Sequence, residues 1–323
     1  MRDYQIIKPL RLVPGQMVGV VAPAAPLEEP ELIDAALETI ASLGFKVKPG
    51  KHLFAHHGYF AGDDAARADD LNAMFADDEV VGIVALRGGY GCSRLLPYLD
   101  YDLIQRNPKV LIGYSDVTAL LNGIHARAGL VTFHGPVADQ SFTPYTLAEF
   151  KKVLIDGLSQ VPLGAAPFSE AVEGQVERQN RVSPLIPGKA RGRLLGGNLS
   201  LISHLVGTPY LPDLNASILF LEDVNETVYR IDRMLVQLRL SGALQGVAGI
   251  AFGKFTDCPP STGAAWQFSL SEVLQEFCRQ VGVPALRGVM IGHVLDQTTV
   301  PIGCLAELDA EAGRLTLLEP GVL

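Results

Sequence analysis

Cysteine is scarce in this sequence. The 323 residues include four cysteines, and no two of them form a C-x-x-C pair. They are Cys92, Cys258, Cys278 and Cys304. So few and so widely spaced cysteines exclude a small disulfide-stapled scaffold and a thioredoxin-type redox motif. A reducing compartment is the simplest expectation, and we therefore predict a cytoplasmic location.

Positive charge and long apolar runs are also in short supply. Lys and Arg number 26 against 35 Asp and Glu, a formal net charge of -9, which argues against nucleic-acid binding. No apolar run approaches the roughly 20 residues of a membrane-spanning helix, so no membrane association is expected. The run Met17–Ala22 stops at Pro23, and it is better interpreted as a buried strand than as the core of a secretory signal.

The chain contains enough hydrophobic residues to form two hydrophobic cores. Hydrophobic residues make up 48% of the chain, and its length exceeds that of a typical single domain. Over the first 135 residues, apolar strands such as Val80–Leu86 and Lys109–Tyr114 alternate with helical patterns. This alternation is typical of a parallel α/β sheet, in which sites form at the carboxyl ends of the strands.

The chain beyond residue 155 divides into a connection and a second unit. Residues 156–188 contain four prolines and no periodic pattern, which favours an exposed linker between domains. Residues 189–323 mix helical and strand patterns, with buried strands at Ser217–Leu221 and Leu286–Ile291 and a hairpin at Leu305–Leu318. We therefore predict an α/β domain at 1–155 and a smaller strand-rich domain at 189–323.

The segment KVLIGYSD (109–116) places Ser115 between an apolar strand and a helix. A serine on such a tight turn points its hydroxyl away from the sheet, and the backbone N–H of Asp116 can stabilise an oxyanion at the helix N-terminus. The usual G-x-S-x-G pattern is incomplete because Val117 replaces its last glycine. On this segment alone, Ser115 is either a nucleophile or a helix cap.

A second polar turn, RGGYG (87–91), also follows an apolar strand. Its glycines allow the backbone to approach a ligand and to present N–H groups to an anion, although a tight turn without a ligand fits equally well. It matches neither a phosphate-binding Walker loop nor a dinucleotide fingerprint. No His, Asp or Glu spacing matches a metal site, so we predict neither a cofactor nor a metal.

A hydroxyl nucleophile needs a base, and the base needs an orienting acceptor. His293 follows the apolar segment Gly288–Ile291, and His134 follows a predicted strand of the first domain. Glu222 closes the predicted strand Ser217–Leu221 and must find a hydrogen-bond partner there. Each of these side chains also has an ordinary structural interpretation.

Taken together, these segments resemble the LD-carboxypeptidase family, serine peptidases that act on murein tetrapeptides. The matching segments are VVAPAAP (20–26), LRGGYG (86–91), IGYSD (112–116), TFHGP (132–136), LLGGNLSLISHLVGTPY (194–210), LFLEDVNE (219–226), YRIDRML (229–235) and GVMIGHV (288–294). They run almost end to end and in the family's order.

The resemblance implies a Ser-His-Glu triad divided between two domains, with Ser115 as nucleophile, His293 as base and Glu222 as the group that orients the base. It also implies oxyanion donors on the backbone of Asp116 and Gly89, with Gly88 as the second choice for the glycine. The implied fold is an amidotransferase-like parallel-sheet N-terminal domain with a smaller strand-rich C-terminal domain. Homodimers are usual in the family.

The implied reaction is hydrolysis of the amide bond before the terminal D-alanine of a murein tetrapeptide, as in cell-wall recycling. The substrate contacts predicted with it are Gly88, Tyr90, Asn198, Arg230 and His134. Among these, Arg230 is the predicted partner of the peptide's free carboxylate.

Two alternatives remain open from the sequence. Within the family, a microcin-immunity peptidase cleaves an aminoacyl-sulfamoyl nucleotide, and such a substrate would call for an aromatic side chain that stacks on adenine. The single tryptophan, Trp266, lies in a polar loop. In a different class, the chain would be a non-catalytic binding protein whose GGYG turn cradles an anion.

Overall fold

The computed structural model describes residues 5–167, 180–260 and 266–323, which form two β-sheets with associated helices. The strands are β1 (Met17–Val21), β2 (Lys46–Pro49), β3 (Val80–Ala85), β4 (Val110–Gly113), β5 (Thr132–His134), β6 (Val161–Leu163), β7 (Ser183–Ile186), β8 (Lys189–Asn198), β9 (Ser217–Val224), β10 (Gly249–Thr256), β11 (Ala285–Arg287), β12 (Val300–Ile302), β13 (Leu305–Asp309) and β14 (Arg314–Leu317). The α-helices are α1 (Pro30–Ser42), α2 (Asp64–Ala76), α3 (Cys92–Leu95), α4 (Tyr101–Arg106), α5 (Thr118–Ala128), α6 (Pro144–Leu154), α7 (Leu199–His204), α8 (Val228–Leu240) and α9 (Leu270–Val281). None of the helices in these ranges has the length and apolar character needed to cross a bilayer.

The first sheet has the strand order β12-β5-β4-β3-β1-β2. Its strands β2, β1, β3, β4 and β5 are parallel, and β12 is an antiparallel edge strand. Every residue of β4 is buried, which means that both faces of the sheet are covered and explains the continuous apolar run in the sequence. The predicted parallel α/β sheet is confirmed.

The second sheet has the order β6-β14-β13-β8-β9-β10-β11-β7. Strands β8, β9, β10 and β11 at its centre are parallel, and antiparallel strands flank them on both sides. The hairpin of β13 and β14 is the one predicted from the sequence. The C-terminal part of the chain is therefore strand-rich, as predicted, and it contains its own set of parallel carboxyl ends.

Part of the expected linker is ordered as sheet. Strands β6 and β7 lie at opposite edges of the second sheet, so the interpretation of 156–188 as an irregular connection is wrong for these residues. Each strand contains a proline, Pro162 or Pro184, and an edge is where a strand tolerates one. Residues 168–179 of the expected linker lie outside the described residues.

Two other segments differ from the sequence-based expectation. The predicted strand Leu286–Ile291 ends at Arg287, because Gly288 has a φ of 94° and turns the chain away from the sheet. The short strand β12 returns to the first sheet and pairs with β5. The C-terminal part of the chain therefore contributes to both sheets.

The carboxyl ends of the two sets of parallel strands meet. The backbone N–H of Asn198, at the end of β8, donates to Oγ1 of Thr118 at 3.1 Å, and Thr118 is the first residue of α5. The side-chain amide of Asn122 on α5 donates to the carbonyl of Gly196 at 2.8 Å. Residues that follow β4 therefore lie beside residues that end β8 and β9.

Candidate active site

Ser115 lies on a strained turn between β4 and α5. Its φ is 61°, a left-handed value that is unusual for a residue other than glycine, and it begins the 3₁₀ turn Ser115–Val117. Strained backbone of this kind costs about 1–3 kcal/mol and is concentrated at functional sites. No side chain caps the 3₁₀ turn or α5, which removes the support for Ser115 as a simple helix cap.

The glycine turn after β3 lies directly against this serine. A methyl group on Gly88 would come within 2.8 Å of Cβ and 3.1 Å of Oγ of Ser115, so no larger side chain fits there without a shift. Gly89 has a φ of 123°, which favours glycine, and it packs against Ala25. The glycine turn and the nucleophile turn therefore lie in direct contact at the Ser115 hydroxyl.

Asp116 connects the two turns through its side chain. Its Oδ2 accepts a hydrogen bond from the backbone N–H of Cys92 at 2.7 Å, immediately after the glycine turn. The carboxyl is buried, and this burial raises its pKa above the ordinary value. The side chain of Asp116 therefore holds the two turns together. Its backbone N–H is the group that the sequence analysis expects to donate to an oxyanion.

The second sheet supplies a histidine-carboxylate pair. Nδ1 of His293 lies 2.7 Å from Oε2 of Glu222, although the two residues are 71 positions apart. Glu222 is fully buried and lies within β9, which continues to Val224 rather than ending at Leu221. Gly292 leaves room for this carboxylate, because a methyl group there would come within 2.5 Å of Oε2.

Tyr114 connects this pair to the serine turn. The rings of Tyr114 and His293 have centroids 4.8 Å apart, and Tyr114 immediately precedes Ser115. The structure therefore brings the three residues of the predicted triad to one junction between the sheets. A buried carboxylate that fixes an imidazole against the residue preceding a strained serine is an arrangement suited to acyl transfer.

Asn198 has a structural partner at the same junction. Its amide Nδ2 donates to Oδ1 of Asp223 at 2.9 Å, and Asp223 also accepts two hydrogen bonds from Ser200. Both Asn198 and Asp223 are buried. The structure thus uses the side chain of Asn198 to fix the end of β8 next to Glu222.

His134 is fully buried beside the triad. Its ring lies 6.1 Å from that of Tyr114 and 5.5 Å from that of Phe220, measured between centroids. Within the described residues, neither ring nitrogen has a hydrogen-bond partner. Burial lowers the pKa of His134 to about 4, so the ring is neutral at physiological pH.

His134 should make the fold sensitive to acid. Because its pKa in the folded state lies below the ordinary value of 6.5, its contribution is present above pH 6.5 and is lost as the pH falls towards 4. Between pH 7 and pH 4.5 we expect the wild type to lose about 2 kcal/mol more of its free energy of unfolding than His134→Asn. Urea unfolding at both pH values measures this difference, and equal losses in the two proteins would contradict it.

The remaining predicted contacts lie on exposed surfaces. Tyr90 is 49% exposed and packs against the rings of Tyr59 and Phe60, at centroid distances of 5.8 and 5.7 Å. Arg230 lies in the first turn of α8, where its half-exposed side chain is 3.5 Å from the carboxylate of Glu226. No contact with the triad is recorded for Arg230 among the described residues.

Arg87 also lies next to the nucleophile turn. The sequence analysis named the segment that contains it but gave this residue no role of its own. It follows β3 and precedes Gly88, and its Nε lies 3.9 Å from Oδ2 of Asp139. The signal available was its position, since a cation at the carboxyl end of a parallel strand lies at the edge where sites form. In the part of the chain that the structure describes, no cluster of His, Cys, Asp or Glu side chains is arranged to hold a metal ion.

Comparison with known families agrees with this geometry. The model of the LD-carboxypeptidase N-terminal domain matches residues 18–135, and that of the LD-carboxypeptidase C-terminal domain matches residues 191–308. The chain belongs to the LD-carboxypeptidase family. The family's N-terminal model includes Ser115 and the glycine turn, and its C-terminal model includes Glu222 and His293.

Similar proteins extend over nearly the whole chain. A Bacillus subtilis protein named "Probable murein peptide carboxypeptidase" is 40% identical and covers 98% of this chain and 95% of its own length. The murein tetrapeptide carboxypeptidase of Pseudomonas aeruginosa is 34% identical, with 92% and 94% covered. The microcin C7 self-immunity protein MccF, solved with aspartyl sulfamoyl adenosine, superposes with a TM-score of 0.85 at 28% identity, covering 98% of this chain and 100% of that one. The chain is thus a peptidase of this family, with the predicted two-part α/β architecture.

Proposed function

We propose that this chain is a serine carboxypeptidase that removes the terminal D-alanine from murein tetrapeptides. The observation that carries the proposal is the pair of His293 and Glu222, with Nδ1 and Oε2 2.7 Å apart, packed on the residue before the strained Ser115. The B. subtilis protein named "Probable murein peptide carboxypeptidase" and the P. aeruginosa murein tetrapeptide carboxypeptidase, at 40% and 34% identity, support this substrate class.

In the proposed mechanism, Glu222 determines which nitrogen of His293 is the base. The carboxylate accepts the Nδ1–H hydrogen bond, so the proton stays on Nδ1 and Nε2 is left to accept the hydroxyl proton of Ser115. The carboxylate also stabilises the imidazolium that this transfer creates. Because Glu222 is fully buried, solvent does not compete for the hydrogen bond.

Acyl transfer then proceeds in two steps. Oγ of Ser115 attacks the carbonyl carbon before the D-alanine, and His293 returns the proton to the leaving amine as the amide bond breaks. Water, activated by the same imidazole, attacks the resulting ester and releases the tripeptide. The backbone N–H groups of Asp116 and Gly89 are the proposed oxyanion donors, and Gly88 is the alternative to Gly89.

A second candidate substrate is an aminoacyl-sulfamoyl nucleotide, favoured by the close superposition on MccF. Two observations make it our second choice. The two murein peptide carboxypeptidases compared above are more similar in sequence than MccF is. Trp266 is 93% exposed and lines a groove with Tyr229 of α8 and with Phe268, which precedes α9. None of the three triad residues lines this groove.

A competition experiment distinguishes the two substrates. Purified protein is offered a muropeptide ending in L-Lys- or diaminopimelyl-D-Ala together with a processed microcin analogue, and both products are quantified in one reaction. We expect kcat/KM to be at least about tenfold higher for the muropeptide, which corresponds to about 1.4 kcal/mol of differential transition-state binding. Faster cleavage of the microcin analogue would overturn the proposed substrate.

The homodimer implied by the family resemblance and the cytoplasmic location expected from the scarce cysteines stay predictions. Light scattering on the purified chain measures the first, and fractionation of the native cells measures the second. The proposed chemistry requires neither a metal nor a cofactor, because the nucleophile, base and oxyanion donors are all protein groups.

A further inference from the structure

Arg87 places a guanidinium group beside the nucleophile turn. It is the second residue after β3 and immediately precedes Gly88, and Gly88 lies against the side chain of Ser115. Arg87 is therefore one residue removed from backbone that contacts the nucleophile. A peptide's terminal carboxylate is also one residue beyond the scissile carbonyl, about 3.5 Å of extended chain.

The guanidinium group of Arg87 has N–H donors without a hydrogen-bond partner among the described residues. Nη1 donates to the carbonyl of Pro26 at 3.3 Å, whereas Nε is 3.9 Å from Oδ2 of Asp139, too far for a hydrogen bond. Nε is buried, and among the described residues it has no hydrogen-bond partner. A guanidinium carries five N–H donors, and the bond from Nη1 to Pro26 uses only one of those on its two terminal nitrogens.

This arginine opens onto a cavity. The cavity has a volume of about 450 Å³, and its polar lining consists of His56, Tyr59 and Arg87 together with the acidic residues Glu28 and Glu29. The side chain of Arg87 is 37% exposed, so it is accessible from the cavity while its stem stays packed. Asp139 lies on the other side, and Arg87 partly offsets the rise in the pKa of Asp139 that burial causes.

We propose that Arg87 binds the free C-terminal carboxylate of the peptide substrate and thereby makes the enzyme selective for a terminal residue. The inference rests on the proposed function and adds the substrate group that Arg87, the neighbour of the Gly88 that lies against Ser115, recognises. A guanidinium fork matches a carboxylate in geometry as well as in charge. Arg230, which the sequence analysis favoured for this role, has a half-exposed side chain on α8 that is already paired with Glu226.

The test compares two peptides that differ only at the C-terminus. One is the tetrapeptide with a free D-alanine carboxylate, and the other is the same peptide with a D-alanine amide. We expect Arg87→Gln to lower kcat/KM for the free acid by about 100-fold, mainly through KM, and to change it less than about twofold for the amide. Arg87→Lys, which keeps the charge but loses the fork, should lie between these limits.

Matched arginine variants provide the controls. Arg314→Gln, at an exposed position of β14, should leave both peptides unaffected. An equal loss on both peptides in Arg87→Gln would overturn the proposal, because it would show that Arg87 only supports the turn. A loss restricted to the free acid in Arg230→Gln, but absent in Arg87→Gln, would assign the carboxylate to Arg230 instead. A wild type that cleaves neither peptide would overturn the proposed function, and this inference with it.

Discussion

Replacing Ser115 with alanine should lower kcat for release of D-alanine by about 10⁴- to 10⁶-fold, the loss seen when the nucleophile of a serine-histidine-carboxylate unit is removed. The hydroxyl is the only atom lost, and the left-handed backbone of residue 115 stays as it is. We therefore expect peptide binding and thermal stability close to those of the wild type. Single-turnover kinetics, calorimetric binding of the tetrapeptide and a melting curve measure the three quantities.

A second serine variant controls for the substitution itself. Ser241 is exposed at the end of α8, where its hydroxyl donates to the carbonyl of Leu238 and accepts from the backbone N–H of Ala243. Ser241→Ala should retain full activity. If Ser115→Ala kept more than about a tenth of the wild-type kcat, the nucleophile would have to be another group, and the proposed acyl-enzyme would be wrong.

Replacing Glu222 with glutamine should lower kcat by about 10³- to 10⁴-fold, although the side chain keeps its size. The amide no longer offers a charged acceptor to Nδ1 of His293, and its NH₂ group favours the tautomer with the proton on Nε2, which cannot accept the hydroxyl proton of Ser115. KM should change little, because the loss concerns the transition state. Steady-state kinetics on the free-acid tetrapeptide measures both parameters.

The matched control is Glu276→Gln, an exposed carboxylate of α9 paired with Arg279. It should leave both parameters unchanged. If kcat of Glu222→Gln fell by less than tenfold, a group other than Glu222 would have to orient the imidazole of His293. A folding defect would be recognised by a lower melting temperature, since Glu222 is fully buried.

Much of the fold could be predicted because its central strands are encoded locally. β3 and β4 are uninterrupted apolar runs, as strands buried on both faces must be, and Gly129 ends α5 in the expected left-handed conformation. β12 was missed because three residues carry no periodic signal and its partner β5 is far away in the chain. The strand before His293 was predicted too long because residues 288–291 are as apolar as a strand.

The candidate site likewise has parts that the local sequence predicts and parts that depend on contacts between distant residues. The tight turn at Ser115, between β4 and α5, is a local feature, and the sequence around it predicted the turn that the structure contains. The pairing of His293 with Glu222 depends on the ends of separate elements meeting in space, and only the family resemblance indicated it. The partners of Asn198 and the open donors of Arg87 depend on side-chain packing, so no pattern in the sequence could assign them.

The most direct test of the central claim is to locate a covalent adduct. The protein is treated with a small fluorophosphonate probe, and peptide mapping by mass spectrometry identifies the modified residue. The proposed triad predicts one adduct on Ser115, absent in Ser115→Ala and formed at least about 100-fold more slowly in His293→Gln. An adduct on any other residue, or labelling at Ser115 that is unchanged in His293→Gln, would contradict a hydroxyl activated by that imidazole.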